Sequence, residues 1–461
     1  MSKKIIYLLS LLMALSLVFA GCKKNNTTAP TGNPPNEETE VKNNTGGLIT
    51  KWDDLKKYDT NAMNDYAVIS ETGGDYYRNP VIVALGRANV LIVTEKRIQY
   101  PGSANDIGVN GDKPVSIVYL LSKDGGDNFD APKPVAADSQ SKDDAVSAPV
   151  VYYKKGSNKV YVIASAGSGI SRTGQYYADR NPKSQLKYSV GTVTGISGEG
   201  AIPTIQWAEW KELDVKNANL NNIQFGTHSG RGIFKDDTTA MILPIITAEQ
   251  GRDGAAKEMM GVRFYEVTES GGDLTLGQKI GQDVSFSQGT PNFSVYKEAK
   301  AVAYDNNKVT YLAVPNPEGG NGKIGKGDSS ANNNVNATVI SGSEGSFGFL
   351  KLTKGWHGAK EYNPSAYKNA SDGSGQDEIL FSHVITPAGE NHMRLLDAQQ
   401  YQPQNKSFKI AITGKSSSID VLDDGTIIVA AEKERNYNAD GLKFNIFFSR
   451  YTQSYLSSQL E

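Results

Sequence analysis

Cysteine is almost missing from this chain: its 461 residues contain one, Cys22. A single thiol cannot form an internal disulfide, so no disulfide framework holds the fold. Histidine is scarce as well. His228, His357, His383 and His392 are scattered, and neither H-x-x-x-H nor C-x-x-C occurs. A metal centre is therefore not expected. No Gly-rich phosphate loop follows a strand and opens a helix, and no cofactor is expected. Charge of one sign is not in excess, with 48 Lys and Arg against 50 Asp and Glu. Without a basic stripe or cluster, nucleic-acid binding is excluded as an expectation. Beyond residue 50 no long amphipathic helical pattern appears.

One long hydrophobic run is present, at the N-terminus. Lys3 and Lys4 precede the apolar stretch Ile5 to Ala20, then Gly21 and Cys22. This reads as a secretory signal peptide over residues 1–21, too short for a dependable membrane-spanning helix. Its removal leaves 46 basic and 50 acidic side chains, a net charge of −4. Val18-Phe19-Ala20-Gly21-Cys22 resembles a bacterial lipobox, with Phe19 where Leu is commonest. That resemblance implies a diacylated Cys22 as lipid attachment site, and a lipoprotein held at the cell envelope, periplasmic or surface-exposed. Two acyl chains give stable anchoring where one is marginal. Residues 23 to about 48 are dominated by Asn, Thr, Pro and Glu. Such a segment buries too little apolar surface to offset its chain entropy, so 22–49 is expected to be a disordered tether.

From residue 50 to 461 an all-β domain is expected. One hairpin pattern recurs: a short apolar strand, a polar turn and a second apolar strand. It begins at Val81, Ala148, Gly230, Ala299 and Ser416, with spacings of 67, 82, 69 and 117 residues. Asp, Asn, Lys and Gly between β-rich runs are hairpin chemistry. The last gap leaves room for one more unit, for which the segment from Ile379 is a candidate. Radial repetition of small sheets, a β-propeller, fits five or six such units. A β-sandwich or two stacked β-domains also fit the pattern. The Gly-, Asn- and Ser-rich stretch from Pro317 to about Gly348 reads as a long loop or insertion. Trp207 and Trp210 read as packing residues.

Ser122 to Phe129, SKDGGDNF, fits S-x-D-x-G-x-x-F. This resembles an Asp-box, the hairpin turn typical of sialidase propellers, in which Asp124 accepts turn amides and Phe129 packs beneath. Upstream, Tyr77-Arg78-Asn79-Pro80 is similar to the family's F/Y-R-I-P motif, and Glu95-Lys96-Arg97 to its E-x-R. Asp106 follows nine residues later. Lys297-Glu298-Ala299 resembles the N-E segment, and Gly414 to Glu432 the last-blade pattern. The resemblance to the sialidase family spans roughly residues 70 to 452 and implies a six-bladed β-propeller.

A sialic acid bears a carboxylate on its anomeric carbon, which a cluster of arginines pairs bidentately. Sialidases use a Tyr nucleophile rather than a carboxylate. The resemblance makes Arg78 a clamp arginine oriented by Glu432, Asp106 the acid/base, and Glu298 the partner of the tyrosine. Glu95 and Arg97 would line the same wall, and Arg394 would be a further clamp arginine. Three positions depart from the family. Its nucleophilic Tyr falls at Lys415, its Asp before Pro in the second blade at Ala148, and no arginine stands in Ala313 to Pro317. Arg231 or Arg263 would then have to supply the absent guanidinium. Two functions follow as expectations. One is an exo-sialidase-like glycoside hydrolase, impaired by these losses, acting on terminal sialic acid or a related acidic sugar. The other is a non-catalytic surface propeller that binds glycan or host protein. The expected partners are sialylated or acidic glycans and, through the anchor, a membrane; a monomer is expected.

Overall fold

The computed structural model describes residues 66–69, 75–86, 88–98, 114–154, 156–167, 183–196, 203–220, 223–235, 238–250, 258–284, 295–305, 308–316, 324–328, 336–338, 348–352, 378–385, 390–397, 408–411, 416–422, 426–438 and 441–451. Among these residues the chain is almost wholly strand, with two single-turn 3-10 helices at Lys142–Asp144 and Lys216–Ala218.

The described strands group into six sheets, antiparallel except for one short parallel pair in the second, taken up in chain order. Tyr76–Gly86, Asn89–Arg97, Val115–Ser122 and Lys133–Pro134 form the first. Val146–Tyr153, Lys159–Gly167 and Ser184–Thr194 make the body of the second. The third is built on Met241–Gln250, Glu258–Ser270 and Asp273–Val284. Val295–Asp305 and Lys308–Asn316 begin the fourth, Glu378–Ile385 and Glu390–Asp397 centre the fifth, and Ser417–Val421 opens the sixth. All five hairpins read from the sequence, and the additional unit near Ile379, are present as paired strands.

Side-chain alternation explains how the sheets follow one another. Successive strand residues point to opposite faces. In the first sheet Val81, Val83, Leu91 and Val93 pack with Val151, Val160 and Val162 of the second. The intervening Ile82, Ala84, Val90 and Ile92 pack instead with Ile428, Ala430, Ile446 and Phe448 of the sixth. The second sheet repeats the division. Val150, Tyr152, Tyr161 and Ile163 face Met241, Leu243 and Ile245 of the third. Ile242, Ile246 and Phe264 of that sheet then meet Ala299, Ala301, Val309 and Tyr311 of the fourth. A strand buried on both faces has no polar side to show, so VIVAL and VLIV are unbroken apolar runs. Each such side chain contributes about 1.5–3 kcal/mol on burial. The fifth sheet contacts the fourth and sixth, and the series is a β-propeller.

Two devices close it. Tyr66–Ile69, the first described strand, pairs with Gly441–Tyr451, the last, so both lie in the sixth sheet. The inner edge of Tyr76–Gly86 is closed by side chains rather than by another strand. Ser418 Oγ accepts the Ile82 N–H at 3.1 Å, and Asp420 Oδ2 accepts that of Ala84 at 2.8 Å. An open strand edge is a pairing hazard, and these acceptors occupy it.

Two features differ from the sequence reading. The stretch expected as a loop after Pro317 holds strands Ile324–Asp328 and Asn336–Thr338, the outer half of the fourth sheet. These two outer strands are short, 5 and 3 residues, and Gly and Asn are depleted in strands, so composition hides them. Gly230–Arg231 leaves its own sheet and pairs in parallel with Val150 and Val151 of the second.

Candidate functional site

The site begins at two bulges. In the first sheet the register slips between Arg78 and Val81, and in the second between Ser147 and Val150. At each slip a residue before proline is left-handed: Asn79 with φ 55°, Ala148 with φ 54°. For residues other than glycine this costs about 1–2 kcal/mol, so something must hold it.

A buried glutamate does so at both places. Glu432, fully buried on the second strand of the sixth sheet, accepts the Asn79 N–H and, at 2.9 Å, Arg78 Nε. Glu95, 1% exposed on the second strand of the first sheet, accepts the Ala148 N–H at 2.7 Å through Oε1. Its Oε2 takes Arg97 Nε at 2.7 Å and Nη2 at 2.5 Å. The arrangement recurs once more with a hydroxyl: Ser165 Oγ accepts the Thr227 N–H at 2.7 Å, while Thr227 Oγ1 donates to the Ala148 carbonyl. Three successive interfaces thus use one device, a second-strand side chain bonded to an amide in or directly after the inner strand of the next sheet. At two of them the acceptor is a carboxylate that also fixes an arginine.

The four charges form one cluster. Arg78 lies across from Glu95, and Tyr76 across from Arg97. The Arg78 guanidinium stands over the Phe444 ring, 4.2 Å from its centroid. Burial works against the charge of Arg97, but Glu95, then Tyr76 and Glu432, outweigh it and hold the group above its usual range. Burial pushes the Tyr76 phenol up despite the opposing pull of Arg97 and Arg78, so it stays protonated at neutral pH. Arg78 and Arg97 side chains are 20% and 17% exposed. With Nε of Arg78 and the Nε–Nη2 edge of Arg97 committed to glutamates, the remaining donors are a planar edge of each guanidinium. Such edges suit a carboxylate or vicinal hydroxyls.

Arg78, Glu95, Arg97 and Glu432 are therefore brought together. Glu298 lies in Val295–Asp305 opposite Val314, and Arg394 in Glu390–Asp397 opposite Phe381. Asp106, Lys415 and Cys22 lie outside the described residues. Arg231 is engaged elsewhere: it pairs with Asp420 at 3.1 Å and donates to the Ile419 carbonyl at 2.9 Å. Arg263 donates to the Asn219 carbonyl at 3.0 Å. Trp207 and Trp210 pack beside the first and second sheets, as read. Sequence reasoning missed Tyr76 and Phe444, which belong to no motif; their signal is strand parity with Arg78 and with the core residues of Gly441–Tyr451.

The turn at 122–129 has the local bonding expected of its residues. Asp124 Oδ1 accepts the Asn128 N–H at 2.9 Å, Ser122 Oγ accepts that of Gly126, and Phe129 meets Phe448 edge-on.

No known protein-family model matches the sequence, and no curated protein matches it. Solved structures do. A sialidase of Trypanosoma rangeli in complex with sialic acid superposes with a TM-score of 0.54 at 13% identity, over 83% of this chain. The fold is sialidase-like. A leech intramolecular trans-sialidase gives 0.51 at 13% identity over 86% of this chain, and NanB sialidase of Streptococcus pneumoniae 0.50 at 11% over 84%. The chain spans 55% of the trypanosomal protein's length and 70% of each of the other two. At these identities the sialidase-like likeness is one of fold.

Proposed function

We propose that this chain binds a terminal sialic acid or related acidic sugar at the end of the propeller where the first and sixth sheets meet, as an exo-sialidase-like protein. One observation carries the reading: Arg78 and Arg97, from neighbouring strands, are pre-set by two buried glutamates with guanidinium edges unspent. The carboxylate of the sugar would pair with the Arg78 edge, and Arg97 would take a neighbouring oxygen. Asp106 is proposed as the acid that protonates the leaving oxygen and Glu298 as the carboxylate that activates the nucleophile. The turn at Ser122–Phe129 supports the same reading as an Asp-box. The protein would work at a bacterial envelope, held by a diacylated Cys22 through the tether of residues 22–49.

A second reading, a non-catalytic glycan-binding propeller, is favoured by a specific set of residues. Lys415 stands where the resemblance calls for the nucleophile. Ala148 offers a methyl where it calls for a carboxylate, and strand Lys308–Asn316 carries no arginine at 313–316. Loss of a nucleophile removes several powers of ten in rate. Turnover decides between the two. Release of fluorophore from an umbelliferyl sialoside, abolished in Asp106→Asn, supports hydrolysis. Binding of sialyllactose without release supports the second reading, and neither response refutes both.

A further inference from the structure

Neither Phe444 nor Tyr76 belongs to the motifs that point to an acidic sugar, yet Phe444 lies beneath Arg78 and Tyr76 stands opposite Arg97. Phe444 is fully buried in Gly441–Tyr451 and packs in one cluster with Tyr76, Val115 and Ala145. The Arg78 guanidinium lies over its face, and Arg97 stands across the strand pair from Tyr76. The first and sixth sheets thus supply two aromatic side chains of one buried cluster, Phe444 beneath Arg78 and Tyr76 opposite Arg97.

We propose that Phe444 is a positioning residue for the acid-binding site, setting the plane of the Arg78 guanidinium so that its free edge meets a ligand carboxylate. This deepens the acidic-sugar reading and rests on it. The physical basis is restraint from two directions. Glu432 fixes Nε in the plane of the guanidinium, but one bond leaves the plane free to rotate about it. The ring face removes that freedom, because the quadrupole attracts a cation lying over it and the ring excludes water from one side. A guanidinium so held loses little entropy on meeting a carboxylate, and preorganisation of this kind appears as affinity. Ring and cation are joined across the seam between the sixth and first sheets, so the same contact couples ring closure to the shape of the site.

The test uses the full chain with Phe444→Leu and Phe444→Tyr, and two readouts. The first needs no ligand: the Arg78 Nε–H proton resonance, which a ring face shifts upfield. It should move in Phe444→Leu and stay near its wild-type position in Phe444→Tyr. The second is titration with N-acetylneuraminic acid. Phe444→Leu should weaken binding by about 3- to 30-fold, the span of a cation–π contact at partly exposed to desolvated sites. Phe444→Tyr should restore it. In an Arg78→Ala background the Phe444→Leu change should have no further effect. Equal affinity in Phe444→Leu and wild type overturns the proposal, as does equal weakening in Leu and Tyr variants, which marks simple packing. If the wild type binds no acid, the acidic-sugar reading fails, and an unmoved Arg78 resonance in Phe444→Leu then overturns the positioning role independently.

Discussion

Arg78 and Glu432 stand 354 positions apart in the sequence and 2.9 Å apart in space. The same carboxylate takes the strained Asn79 amide, so it serves ring closure and site geometry together. Glu432→Gln keeps the shape and removes the charge. Breaking a buried ion pair from one side costs about 3 kcal/mol. Chemical denaturation should show a loss of that size, and a loss below 1 kcal/mol, a value expected of exposed pairs, would place the pair among surface contacts.

Glu95 carries two loads as well, Arg97 and the Ala148 amide. Glu95→Gln should destabilise about as much as Glu432→Gln. Replacing both charges, as Glu95→Leu with Arg97→Met, should recover part of the loss, since an apolar pair needs no partner. Full recovery is not expected, because the Ala148 N–H would be left unbonded at about 1–3 kcal/mol. Denaturant midpoints of the single and double variants measure the difference.

Gly126 has φ +94°, and a side chain there would overlap the Phe448 ring. Gly126→Ala combines backbone strain with overpacking, together about 2–4 kcal/mol. A melting temperature unchanged from wild type would show that the turn is not seated on the sixth sheet.

Asp144 accepts amides from Gln140 and Ser141 and hydroxyls from Ser139 and Ser141, ordering the approach to the second sheet. Burial alone would raise its pKa, but the Gln140 and Ser141 amides and the Ser hydroxyls bring it to about 2. A lowered folded pKa contributes stability that is present above about pH 4 and is lost as pH falls toward 2. Stability should therefore fall less steeply across that window in Asp144→Asn than in wild type, as read by denaturation at stepped pH.

Much of the fold was legible because the inner strands are buried on both faces. VIVAL, VLIV and VVYY can be nothing but core, and their turns punctuate them. The outer strands of the fourth sheet were not, since Ile324–Asp328 and Asn336–Thr338 are only 5 and 3 residues long and are written largely in Gly, Lys and Asn. At the site, Arg78, Glu95, Arg97 and Glu432 were readable from short motifs. The resemblance also paired Glu432 with Arg78, as found; that Glu95 takes Arg97, and that the two glutamates hold the Asn79 and Ala148 amides, was not readable, because it depends on the seams between sheets. Phe444 lay hidden because its role is to face a cation, and an apolar residue in an apolar strand gives no sign of that.

Arg231 tests the other side of the same question. Its guanidinium is held by Asp420 and the Ile419 carbonyl, next to the inner edge of the first sheet. Arg231→Met should lower stability while leaving sialic acid affinity unchanged. A selective loss of binding would make it part of the acid clamp after all.

On the proposed function, guanidinium edges at the seam between first and sixth sheets read a sugar carboxylate. Calorimetric titration of the full chain with N-acetylneuraminic acid and with its methyl ester tests this most directly, since the two differ only at that carboxylate, which the ester caps with a methyl group and leaves uncharged. Saturable heat with the acid and none with the ester is the predicted result. Equal binding of both, or binding of neither, would contradict it.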